Sequence, residues 1–147
     1  MLANEFLKAS GSLRVVVTGP DGQVKEDRNF TNLIVTVGKN FVASRIVGVA
    51  SNVMSHMAIG AGTTAAAAGD TTLGSELGRV ALGSGTAATN VVTYSATFPA
   101  GTGTGAVTEA GILNNVTGGT LLCRTVFAVV NKGALDSMAV TWTVTIS

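Results

Sequence analysis

The chain has 147 residues, the length of one domain that can bury roughly 70% of the surface its unfolded form exposes. Nine Lys and Arg stand against eight Asp and Glu, a formal charge of +1, which excludes nucleic-acid binding by bulk basicity and the highly charged kind of disorder. A single Cys excludes an internal disulfide framework, and with a single His it leaves almost no material for a His- or Cys-based metal site.

Val, Ala and Thr number 20 each and Gly 19, a vocabulary of strands joined by glycine turns. The mean hydropathy of +0.47 raises the question of a membrane. Apolar runs such as 126–130 fall far short of the roughly 18 residues of a spanning helix. Residues 1–10 include Asn4, Glu5 and Lys8 and lack the apolar stretch of a secretory signal. Seven aromatics are too few for the two girdles of an outer-membrane barrel. The expectation is a soluble protein without membrane or nucleic-acid partners, whose neutral surface favours association.

Residues 1–11 show little periodicity and read as an extended arm or short strand ahead of a single domain over 12–147. Residues 12–18 form a strand with Leu13, Val15 and Val17 on one side, and Gly19-Pro20-Asp21-Gly22 is a turn. Residues 23–30 return as a polar strand whose Lys25, Glu26, Asp27 and Arg28 suit a solvent-facing or edge position. A helix is expected over 33–47, capped by Thr36, with Val37, Phe41, Val42 and Ile46 at helical spacing and Gly48 as its stop.

From there the pattern is strand and loop. Strands are expected over 53–59, 79–82, 91–98, 106–113 and 120–130. The segments 60–72, 83–90 and 99–105 read as loops, the last as a flexible tip, and 131–136 turns the chain. The final strand places Met138, Val140, Trp142, Val144 and Ile146 on one face and Ala139, Thr141, Thr143 and Thr145 on the other. The expected fold is all-β, an antiparallel β-sandwich of jelly-roll type with one short α-helix.

Chemical motifs are sparse. Gly60-Ala61-Gly62-Thr63-Thr64-Ala65 resembles a dinucleotide glycine fingerprint, but only four residues follow before Gly69-Asp70, too few for the helix whose amides would meet a pyrophosphate. His56 has Ser55 and Cys123 as conceivable nucleophilic company, yet no orienting third group is evident, and a hydrogen-bonded strand histidine is the favoured reading. Cys123 alternates within an apolar strand and reads as a small buried hydrophobe. Glu109 stands alone in an uncharged stretch and is expected to form a structural ion pair with Arg79 or Arg124. No catalytic, cofactor-binding or metal-ligating residue is assigned, and no enzyme activity is expected.

From Val53 onward the wording resembles small virion structural proteins of tailed bacteriophages. The residues that carry the likeness are Met54-Ser55-His56-Met57-Ala58-Ile59-Gly60, Asp70-Thr71-Thr72-Leu73, Ala96-Thr97-Phe98 and Thr108-Glu109-Ala110-Gly111-Ile112. Arg124-Thr125-Val126-Phe127 and Thr141-Trp142-Thr143 complete it, with a weaker likeness back to Asn32-Leu33-Ile34-Val35. Such sequences are similar both to capsid cement or decoration proteins and to tail-fibre, collar or baseplate components. The resemblance implies a homodimeric or homotrimeric cement protein, made in the host bacterial cytoplasm, that binds the outer face of the head and bridges major capsid protein subunits. The tail reading would want stacking rings for a glycan, and Trp142 and Tyr94 fall on core faces. Candidate contacts are Met1, Leu2, Asn4, Phe6 and Leu7 in the arm and Thr63, Thr64, Thr71 and Thr72 in the first long loop. Thr86 and Asn90 in the second loop and Thr102 and Thr104 in the third complete the set.

Overall fold

A computed structural model describes residues 5–147. Nine strands and one helix occur in the order β1 (Ala9–Thr18), β2 (Val24–Ile34), α1 (Thr36–Ile46), β3 (His56–Gly60), β4 (Glu76–Ala81), β5 (Ser84–Ala88), β6 (Val91–Phe98), β7 (Gly105–Leu113), β8 (Leu121–Lys132) and β9 (Ser137–Ile146). They form one curled antiparallel sheet in the order β4-β3-β7-β8-β2-β1-β9-β6-β5. The β-rich, antiparallel expectation with a single helix therefore holds.

The curl has a narrow seam. β2 pairs with β1 along its length but with β8 at two positions, Leu33 with Arg124 and Ile34 with Cys123. Beyond those rungs the strands part, and Phe30 stacks on Phe127 across the gap at 4.3 Å between ring centroids. The seam divides the sheet into a half of β4, β3, β7 and β8 and a half of β2, β1, β9, β6 and β5. Period-two apolar positions from both halves meet in one core. Leu13, Val15, Phe98, Val140 and Trp142 come from one side, and Met57, Ile59, Ile112 and Cys123 from the other.

Four local expectations change. β1 takes in Ala9, Ser10 and Gly11, and the amide of Lys8 still donates to the Ser147 carbonyl, so of the described residues only 5–7 precede the sheet. The helix starts at Thr36, not at Leu33, because Leu33 and Ile34 are held in the seam, and Val35 is its N-cap with no side-chain bond from Thr36. Segment 83–90 contains a strand, β5, joined to β6 by Thr89 and Asn90. The 99–105 tip is pinned. The Gly101 amide donates to Ala134, that of Thr102 to Pro99, and Lys132 Nζ to the Pro99 carbonyl at 2.9 Å.

The helix lies backbone against backbone on β8, since a Cβ on Gly38 would run into the Leu122 carbonyl oxygen. Gly38 is its buried residue, and Ile46 at its end is exposed. The tight approach adds to the apolar side of the helix, where Val37, Phe41 and Val42 pack against the two cores.

Candidate interaction surface

The loop of residues 61–75 closes over the outer face of β3, β7 and β8 and is held there by ions. Glu109 lies on that face, fully buried, opposite Gly60. Its carboxylate accepts from the amides of Gly62 (2.9 Å), Gly74 (2.8 Å) and Ser75 (2.7 Å), and from Arg124 Nε (3.0 Å) and Nη2 (2.8 Å). Arg124 Nη1 donates to Asp70 at 2.7 Å, and Nη2 donates to the Thr64 carbonyl at 3.1 Å. Asp70 accepts in turn from the Ala67 amide. The carboxylate thus takes the donors a phosphate would want from the glycine-rich segment, and that segment runs over the sheet as a clamped lid.

The electrostatics follow from these contacts. Burial pushes the Glu109 carboxyl up, but the three amides and Arg124 outweigh it and hold it below the ordinary carboxylate range. The Ala67 amide, joined by Arg124, lowers Asp70 against its partial burial. Burial draws Arg124 down, and its bonds to Glu109 and Asp70 more than restore it. Under the lid, Leu73 packs with Val35, Ala58, Leu113 and Leu121 in a second small core. Gly111 makes the room, since a Cβ there would sit 2.7 Å from Leu73 Cδ1.

A second ionic tie holds the 99–105 turn. Lys132 is buried, and its Nζ donates to the carbonyls of Pro99 and Asp136. Burial draws this ammonium below its ordinary value, opposed by the Asp136 charge. Asp136 accepts from Lys25 at 2.7 Å and from the Gly133 amide, and both hold its carboxyl low.

The candidate contacts are dispersed over these features. Thr63, Thr64, Thr71 and Thr72 are exposed on the lid. Thr102 is half-buried and Thr104 exposed on the pinned turn. Thr86 is exposed on β5, and Asn90 Nδ2 donates to the Ile146 carbonyl at the end of β9. Phe6 and Leu7 are each 73% exposed, while Met1, Leu2 and Asn4 lie outside the described residues. The Glu109–Arg124 pairing expected from sequence is present, and Arg79 instead pairs with Glu76. His56 Nδ1 lies 2.8 Å from Ser55 Oγ, Cys123 is buried with its thiol pushed up by that burial, and Trp142 is fully buried.

Sequence reasoning missed one surface. Ile46 (76% exposed) and Val47 (79%) join Phe6 and Leu7 as large apolar side chains open to solvent. Leu7 and Ile46 also line a groove of about 430 Å³, together with Ile34, Val42, Ile146 and the two lysines Lys8 and Lys39. The signal was present in part, because Val42 and Ile46 stand one turn apart at the end of the helix and both line the groove. Among the described residues no cluster of His, Cys, Asp and Glu could hold a metal ion, and no helix is long and apolar enough to cross a membrane. Compared with family models, curated proteins and solved structures, the chain finds no match.

Proposed function

We propose that this chain is a structural binding module of a tailed-phage virion, a capsid cement or decoration protein that bridges major capsid protein subunits on the outer face of the head. The observation that carries the reading is the apolar groove lined by Leu7, Ile34, Val42, Ile46 and Ile146, with Leu7 and Ile46 largely open to solvent. A clustered apolar patch on a nearly uncharged domain fits a surface destined for cover by a partner. The clamped lid and pinned turn support it too, because rigid loops lose little entropy on docking. We read the curled sheet as a β-sandwich folded from one sheet, its two halves enclosing the shared core.

In this role the protein acts by additive burial. Each copy would cover of the order of 1,600 Å² in total with its neighbours, and symmetric repetition turns modest contacts into avidity. The test is the copy number of the chain in purified virions, read by gel densitometry, together with the melting of particles that lack it. Copies in the hundreds and earlier melting of depleted heads are expected. A small count set by tail symmetry would move the protein to the tail, and absence from particles would overturn the reading.

A further inference from the structure

We propose that β5 is a self-pairing edge, through which two copies of this chain join their sheets antiparallel about a two-fold axis centred on Thr86. An open strand edge invites another strand unless it is bulged, charged or covered. The other free edges carry such devices. β4 bears the Glu76–Arg79 ion pair, its ladder with β3 has a bulge at Ile59/Gly60, and Gly78 lies against the backbone of Gly103. The open stretch of β2 carries Lys25, Glu26, Asp27 and Arg28, and that of β8 is bulged against β7 between Val126 and Val130. β5 has none of them. Ser84-Gly85-Thr86-Ala87-Ala88 is uncharged, has no proline, keeps unbroken register with β6 and is exposed along its whole length.

The occupant follows from the geometry of that edge. Ala88 and Val91 flank the two-residue turn, so Ala88, Thr86 and Ser84 direct their backbone groups to β6, while Gly85 and Ala87 direct theirs outward. Two such edges about a two-fold pair Gly85 of each copy with Ala87 of the other, which satisfies every outward group, and they set Thr86 opposite itself. Thr31, Ser12, Thr143, Thr93 and Thr86 already form one hydroxyl row across five strands, with Ser12 and Thr143 oxygens 3.2 Å apart. A second copy continues the row through a Thr–Thr pair, a favoured cross-strand match. The small side chains offer no anchor by which a foreign strand would be selected. Five residues bury less than a standard interface, so the dimer is weak in free solution.

This inference stands on the edge alone, whatever the chain coats. Thr86→Cys should form a disulfide dimer of the full-length chain under copper–phenanthroline at least tenfold faster than Thr104→Cys, because an opposed non-hydrogen-bonded pair has disulfide geometry. Cys123 is buried and does not compete. Thr86→Lys should abolish the rise of weight-average mass with concentration seen for wild type in sedimentation equilibrium. Equal cross-linking rates, a wild type that shows no such rise, or self-association unchanged in Thr86→Lys would each overturn the proposal.

Discussion

The two halves of the sheet use the same strand chemistry and end in opposite states. β7 is buried on both faces along most of its length, with the core beneath and the lid above. β9 is buried on one face only, and its other side is a row of threonines among neighbouring serines and threonines. The difference comes from what the connections carry. The loop after β3 brings Leu73, Asp70 and three free amides back over the sheet, and β7 and β8 answer with Gly111, Glu109 and Arg124. The two-residue turn between β5 and β6 returns nothing to the outer face, so hydroxyls bond one another there, as Ser84 does with Ser95 at 2.6 Å. A buried ion set fixes one loop in one place, whereas a hydroxyl face keeps a surface flat, neutral and available.

The comparison can be broken most forcefully at Arg124. Arg124→Met leaves Glu109 buried without its cation and should cost about 3–5 kcal/mol in denaturant unfolding. Gly38→Ala, which drives a methyl into the Leu122 carbonyl, should cost about 1–3 kcal/mol or lift the helix, visible as amide exchange across α1. Acid supplies a third test. The folded carboxyls of Glu109 and Asp70 titrate lower than in the unfolded chain, so their contribution is full above about pH 4 and is lost as the pH falls through the lowered folded values. Proteolysis of the 61–75 lid should therefore begin in acid before the core strands unfold, and Arg124→Met should weaken that acid dependence without removing it, since the Gly74, Ser75 and Ala67 amides still hold the two carboxyls low. Thr143→Val on the hydroxyl face should change stability by less than about 0.5 kcal/mol, since the Ser12 hydroxyl it leaves is exposed and can bond water instead.

How much of this was legible in the sequence depended on what each segment packs against. β6 and β9 announce themselves by alternation, and Met138, Val140, Trp142 and Val144 are buried as the pattern requires. The isolation of Glu109 among uncharged residues pointed to a paired buried ion, and Arg124 supplies it. The amides of Gly62, Gly74 and Ser75 were hidden, because no side-chain pattern marks backbone donors brought together over a loop. β5 was hidden as well. Gly85, Ala87 and Ala88 carry little strand propensity, and only the partner β6 holds them extended. The helix start moved because two tertiary rungs at Leu33 and Ile34 outweigh a local cap.

The long-range pairings, the two-rung seam among them, also govern the order of assembly. The hairpins of β1 with β2, β5 with β6 and β7 with β8 close over short turns, but joining Ile34 to Cys123 closes a loop of about 90 residues. The β1–β9 ladder closes a longer loop still, from Ala9 to Ile146, so the hairpins form first and that ladder and the seam close last, as contacts between distant parts of a chain do. Trp142, the lone tryptophan, sits in the core that this last step seals. Its fluorescence is a built-in clock for closure, and during refolding its signal should settle after the far-ultraviolet dichroism of the strands has already risen.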